Sequence, residues 1–285
     1  MSEQIVTRFA PSPTGYLHLG HAYAALFAET AARDAGGRFL LRIEDIDGSR
    51  VRPEFEQAIF EDLTWLGLNW EIPVRRQSDH LTDYHDALER LRDLDVVYPC
   101  FCTRAEIRSE IAHSPSAPHG PDGPLYPGTC KNLEESKRMR RQADGASYAL
   151  RLDVEKALLS LGKEARHIVW SEASKGEQIV NVSLHGDVII ARKDIPTSYH
   201  LAVTVDDALQ GITLATRGLD LMPATHIHRL LQELLQLSPP KYHHHRLITN
   251  EAGQRLATRD KAKSLRTLRD QGMTPHDIRR AVGIV

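Results

Sequence analysis

Apolar residues in the first hundred positions come in two rhythms. Short continuous runs, IVTRF (5–9) and RFLLRIED (38–45), read as buried strands, the second with a carboxylate-rich end. AYAALFAETAARDAGG (22–37), PEFEQAIFEDLTWLGL (53–68) and LTDYHDALERLRDLD (81–95) repeat their apolar residues at helical spacing. Their ends are punctuated: the first stops at Gly36 and Gly37, and the second opens on Pro53 and closes near Gly67. VVYPCFC (96–102) reads as a short strand or edge. Strands alternating with helices of this length predict an α/β fold around a parallel sheet.

The rhythm breaks over 103–147. HSPSAPHGPDGPLYPGT (113–129) is rich in Pro, Gly and Ser and predicts an exposed loop. KNLEESKRMRRQADG (131–145) is a polar helix with a basic bias. The sheet pattern returns with DVIIARKDIPTSYHLAVTVDDAL (187–209) and ITLATRG (212–218), followed by the strongly amphipathic THIHRLLQELLQL (225–237). The expected organisation is a sheet domain in two halves, 1–97 and 168–240. An insertion at 98–167 separates them, and a short helical segment, 241–285, follows.

Composition narrows the function classes. The 285 residues are 41% hydrophobic and 26% charged, ordinary for a globular chain and not for a disordered one. The 36 Lys and Arg nearly balance the 38 Asp and Glu, which excludes a nucleic-acid binder working by bulk charge and leaves room for a local basic surface. The segment 241–285 supplies such a bias, with ten Lys/Arg against four Asp/Glu. The N-terminus lacks a signal peptide's apolar region and no apolar run approaches a membrane span, so a cytoplasmic protein without a membrane partner is expected. Three cysteines are too few for a secreted disulfide framework.

The sharpest chemistry lies in RFAPSPTGYLHLGHA (8–22). A strand runs through a loop with Pro11, Pro13 and Gly15 into a helix that opens at His18-Leu19-Gly20-His21. The two histidines share a face of the first turn. A helix N-terminus presents unpaired N–H groups to anions such as phosphate. Gly20 allows a flat ring close to the backbone. An isolated HxxH is more often a pair of surface histidines; here the surrounding residues decide.

Those residues resemble the signature of the class I aminoacyl-tRNA synthetases, in their glutamyl branch, with HLGH at the "HIGH" position. LRIEDIDGSR (41–50), DIPTSYHLAVTVDD (194–207) and TRGLDLMPATHIHRLLQELL (216–235) continue the resemblance in order, over nearly all of 5–260. It implies a Rossmann-like catalytic sheet with a zinc-bearing insertion and a short helical C-terminus. It also implies an enzyme that activates glutamate with ATP, with magnesium accompanying the nucleotide. His18 and His21 become the catalytic pair and, with Gly20, the ATP contacts.

Glutamate offers two carboxylates and an ammonium, which call for two cations and an anion. Arg8 and Arg217 at the ends of predicted strands are the cations, and Glu44 at the end of another is the anion. Tyr199 adds a phenol, and Ser12 and the backbone at Ala10 complete the pocket that the resemblance implies. Which arginine takes which carboxylate stays open. Taken singly, each arginine reads as a surface ion pair and Glu44 as a solvated strand end. Asp45 and Asp47 read as a solvated turn rather than a metal site.

The family's "KMSKS" loop, which sets lysines against the ATP phosphates, matches Arg255-Leu256-Ala257-Thr258-Arg259. Arg255, Thr258 and Arg259 are the implied ATP contacts. Uncharged Thr258 stands where the family has its second lysine, a departure that bears on the rate of adenylate formation.

Cys100, Cys102 and Cys130 supply three thiolates, and zinc takes four ligands. By chemistry alone His113, His119 or Tyr126 could be the fourth, and a histidine would be chosen. The resemblance favours Tyr126, through the spacing CxC…YxxxC of the branch's short members. Full synthetases of the branch continue into an anticodon-binding region, whereas this chain stops at Val285. That length matches the short members, which attach glutamate to the queuosine base at the wobble position of tRNA(Asp). The expected partners are therefore ATP, L-glutamate and tRNA(Asp) carrying queuosine, and the expected state is a monomer. The alternatives are a truncated synthetase charging the 3′ end of tRNA(Glu), and a non-catalytic RNA- or amino-acid-binding relative.

Overall fold

Three strand–helix units build the first half of the sheet. Strand β1 (Val6–Phe9) leads to helix α1 (Leu19–Asp34), β2 (Arg38–Ile43) to α2 (Pro53–Trp65), and β3 (Glu71–Arg76) to α3 (Leu81–Asp93). The strands run parallel in the order β1-β2-β3, with Arg8 opposite Leu40. Every residue of β1 is buried, as is β2 beyond Arg38, the state of strands covered on both faces. Ala22, Ala25, Ala28 and Ala32 let α1 lie close to the sheet, where the Thr7 hydroxyl donates to the Ala28 carbonyl at 2.8 Å. Pro53 opens α2, where a missing N–H leaves no helical bond unmade. The computed structural model describes residues 4–112, 119–120, 123–249 and 263–284.

The chain then leaves the main sheet through β4 (Val97–Cys100), α4 (Arg104–Ala112), the two-residue strands β5 (His119–Gly120) and β6 (Gly123–Pro124), α5 (Glu135–Ala143), β7 (Ala149–Leu152) and α6 (Val154–Ser160). It returns in a hairpin, β8 (Val169–Glu172) and β9 (Gly176–Ile179), and continues into β10 (Ile189–Ala191) and α7 (Tyr199–Leu209). β4 and β10 flank β7 in a separate antiparallel sheet. The single apolar stretch at 187–209 thus divides into a strand and a helix. Helix α7 buries every residue from Leu201 to Asp207, so its apolar positions show no helical period in the sequence.

Strand β11 (Leu214–Gly218), α8 (Ala224–Leu234) and β12 (Lys241–His245) complete the second half, in a sheet ordered β11-β12-β8-β9. This sheet abuts the first one at β1. The Thr213 N–H donates to the Val6 carbonyl at 3.1 Å, and the Val6 N–H to the Thr213 hydroxyl at 2.8 Å. Helices α9 (Leu265–Asp270) and α10 (Pro275–Val282) fold back on the first half, where Leu265, Leu268, Ile278 and Val282 join the core of α1 and α2. A Thr274–Asp277 capping box starts α10 and Gly283, at φ 76°, ends it. No helix among the described residues is long and apolar enough to cross a membrane.

Candidate active site

The carboxyl ends of β1, β2 and β11 meet α7. Buried Arg8 donates through Nε and Nη2 to the two carboxylate oxygens of Asp207, at 2.9 and 3.1 Å, and through Nη1 to the Thr216 carbonyl at 2.9 Å. Fully buried Arg42 reaches Asp207 Oδ1 at 2.7 Å and Glu44 Oε1 at 3.0 Å. Burial raises the Glu44 carboxyl, and Arg42 and Arg8 pull it back in part. An incoming ammonium would complete that compensation. The Glu44 N–H donates to the Pro11 carbonyl at 3.0 Å, which draws the loop against the end of β2. Half-buried Ala10 and exposed Ser12 flank Pro11.

Arg217 is equally buried but differently held. Its Nε donates to His244 Nε2 at 3.1 Å, Nη1 to His228 Nδ1 at 2.9 Å, and Nη2 to the Thr225 hydroxyl at 2.5 Å. The Tyr242 ring lies 5.0 Å from its guanidinium carbon. Tyr199, the first residue of α7, rests its ring 5.5 Å from that of His228. It keeps 36% of its surface open, yet enough protein surrounds the hydroxyl to raise its pKa, with Arg217, Glu44 and Arg8 acting on it. Arg8, Glu44, Tyr199 and Arg217 are therefore brought together.

His18 caps α1. Its Nδ1 accepts from the Gly20 N–H at 3.1 Å, while its own N–H donates to His21 Nδ1 at 3.2 Å. With both Nδ1 atoms accepting, the neutral rings carry their protons on Nε2, a donor of the kind phosphate oxygens accept. The rings lie 3.9 Å apart. A Cβ on Gly20 would stand 3.0 Å from His18 Cε1, so the ring that lies over this backbone is His18's own. Ser264 pairs with His18 in an isolated antiparallel bridge, and the Leu265 N–H donates to the Leu17 carbonyl at 2.7 Å. Arg255, Thr258 and Arg259 lie outside the described residues.

In the insertion, Cys100, Cys102 and Cys130 bring their sulfurs within 4.8 Å of one another. The Tyr126 hydroxyl is 3.4 Å from Cys100 Sγ and 3.5 Å from Cys102 Sγ. Burial pushes the Cys102 thiol up to about 11. Burial also acts against the Cys130 thiolate, but the Tyr126 hydroxyl and the Phe101 N–H hold that thiol below its ordinary value. Three thiols and a phenol around one point form a donor set suited to a soft, four-coordinate cation. Among the described residues this is the one group of three or more Cys, His, Asp or Glu arranged to hold a metal. His113 lies outside the described residues. Asp45 instead accepts from the Ser78 N–H and hydroxyl, and Asp47 from Ser49, Arg50 and Arg192.

The model of the family "tRNA synthetases class I (E and Q), catalytic domain" matches residues 4–284. The chain belongs to this family. This synthetase chain is 50% identical, over 98% of its own length and all of the relative's, to a Glutamyl-Q tRNA(Asp) synthetase of Rhodobacter capsulatus. It is 41% identical to a protein of that name from Nocardia farcinica, over 95% of this chain and 81% of the other. Its fold is similar to the crystal structure of glutamate-tRNA synthetase from Elizabethkingia anophelis, with TM-score 0.75 and 28% identity, over 92% of this chain. It spans 54% of that structure's length.

Sequence reasoning about this synthetase passed over Arg42, Asp207, His228 and His244. Arg42 had a signal: an arginine within the apolar run RFLLRI, where a fully buried cation needs a partner. The histidines of THIHRLLQ and KYHHH gave none that distinguishes a buried acceptor from a surface ring.

Proposed function

We propose that the chain joins glutamate to AMP and then transfers the glutamyl group to the queuosine base of tRNA(Asp). The glutamate α-carboxylate attacks the α-phosphorus of ATP, and pyrophosphate leaves. A hydroxyl of the queuosine cyclopentene ring then attacks the activated carbonyl, and AMP leaves. The observation that carries the reading is the cluster of two arginines, a carboxylate and a phenol, with the His18–His21 cap on the same α1 that packs on β1. The cluster has the charges that a bound glutamate requires, and the cap has donors suited to phosphate. The 50% identity to a relative named for this reaction, across that relative's whole length, supports the acceptor.

In this reading Arg8 and Arg217 hold the carboxylates, Glu44 the ammonium, and Tyr199, Ser12 and the Ala10 backbone shape the pocket. His18, Gly20 and His21 meet the nucleotide, together with Arg255, Thr258 and Arg259. Catalysis is then positioning and charge stabilisation by groups already in place. Magnesium enters with ATP. Cys100, Cys102, Cys130 and Tyr126 would hold a zinc ion that secures the base of the 98–167 insertion.

Radiolabelled glutamate, offered with ATP to tRNA(Asp) with and without queuosine and to tRNA(Glu), tests the reading. Label should enter only the queuosine-bearing tRNA. Equal labelling of queuosine-free tRNA(Asp), or labelling of tRNA(Glu), overturns it.

A further inference from the structure

The two arginines of the cleft differ in one respect that their sequence context hides. Arg8 makes a two-pronged ion pair with Asp207, an anion that it shares with Arg42. Arg217 donates to two imidazoles and a hydroxyl, and among the described residues no carboxylate lies within ion-pairing distance of it. Its positive charge is buried with no direct ionic partner, and the one carboxylate its hydrogen-bond network reaches, Glu172, stands behind His244. Burying an unpaired charge is costly, so a fold that keeps one has a use for the missing anion.

The imidazoles can serve as acceptors because their tautomers are set from behind. His244 Nδ1 lies 2.6 Å from Glu172 Oε2, and Glu172 Oε1 accepts the His244 backbone N–H at 3.1 Å. An Nδ1–H donated to Glu172 leaves Nε2 bare toward Arg217. His228 accepts from Arg217 on Nδ1, so its proton sits on Nε2, 3.2 Å from His200 Nδ1. His200 then carries its own proton on Nε2. Burial, with Arg217 adding to it, pushes His244 and His200 down to about 4, and His228 well below its ordinary value. Burial thus favours the neutral rings that the hydrogen-bond pattern requires.

We infer that His228 and His244, with tautomers fixed by His200 and Glu172, are positioning residues that hold the Arg217 guanidinium while leaving its charge unspent for a carboxylate of the amino-acid substrate. The inference rests on the proposed role of Arg217 in glutamate binding. Neutral acceptors fix the direction of the guanidinium fork, and a carboxylate in their place would fix it equally well but cancel the charge. Geometry and charge are thereby separable by substitution. His228→Gln keeps a neutral acceptor for Arg217. His228→Glu keeps an acceptor and adds the anion. His228→Leu removes the acceptor.

ATP–pyrophosphate exchange at varied glutamate and at varied ATP reads the outcome, with thermal melting to confirm that each variant folds. His228→Glu and His228→Leu should raise the KM for glutamate by about tenfold or more, with the KM for ATP little changed. His228→Gln should stay within a few-fold of the unmodified enzyme. Arg217→Lys controls for the underlying reading. If it leaves the KM for glutamate unchanged, the assignment of Arg217 to the substrate fails. If it raises that KM while His228→Glu and His228→Leu do not, the histidine frame fails alone. If Leu raises it and Glu does not, the histidines only aim the guanidinium, and freedom from a direct ion pair is not what they preserve. Should His228→Leu fail to melt cooperatively, the comparison of His228→Gln with His228→Glu still decides, because both keep an acceptor.

Discussion

Asp207 grips Arg8 with both carboxylate oxygens, at 2.9 and 3.1 Å, at the meeting point of the two halves of the sheet. Burial acts to raise this carboxyl, but Arg8 and Arg42 overcome it and hold the pKa at about 2. The folded value lies below the unfolded one of about 4. The stabilisation is therefore fully present above pH 4 and lost as pH falls through about 2, a contribution of about 2 kcal/mol. Asp207→Asn leaves two buried guanidinium groups short of an anion and should cost about 3–5 kcal/mol at pH 7 by urea denaturation. It should also flatten the acid limb of the stability profile.

Asp62 runs the other way. It is buried in α2, its Oδ2 has no hydrogen-bond partner, and burial lifts its pKa to about 6 despite Arg269 and Arg266. Its folded value exceeds the unfolded one, so the protonated form favours folding, and stability falls as pH rises from about 4 to 6. Asp62→Asn should raise stability at pH 7 by about 1–3 kcal/mol and remove that slope, read from thermal melts between pH 4 and 8.

For the cysteine cluster, protein purified without added metal should carry one zinc per chain by elemental analysis. Cys102→Ser should lose most of it and lower the melting temperature. Tyr126→Phe keeps three sulfurs and should bind zinc more weakly, not lose it. A stoichiometry near zero in the unmodified protein ends the assignment.

Thr258→Lys should accelerate glutamyl-adenylate formation in single-turnover experiments by restoring a cation opposite the leaving pyrophosphate. The KM for glutamate should change little. One charge-assisted contact made in the transition state is worth about 2–4 kcal/mol. A neutral outcome with a severe Arg259→Ala would assign the role to Arg259.

The strand–helix alternation of the first half was legible because each strand is a short apolar run and each helix has one wet face. The helix at Tyr199–Leu209 was not, because an element buried on all sides loses its periodicity. In the sequence Arg8, Glu44 and Arg217 already read as charges at strand ends, and the structure sets them near Tyr199. What holds them was not legible. Asp207 is one acid of the pair in VTVDD, and only the three-dimensional register turns it toward β1 rather than solvent. The histidine frame of Arg217 comes from α8 and β12, elements whose own periodicity says nothing about a guanidinium between them.

The join between Val6 and Thr213 has a consequence for synthesis. Arg8 leaves the ribosome 199 positions before its partner Asp207 and 208 before Thr216. Until they emerge, β1 has only one of its two neighbours, and its arginine has no anion from α7. The nascent chain must carry that unfinished edge while the intervening residues are made, exposed to mispairing. The last event in assembling this cluster is then the arrival of the second half, so the Arg8–Asp207 pair marks completion of the whole sheet.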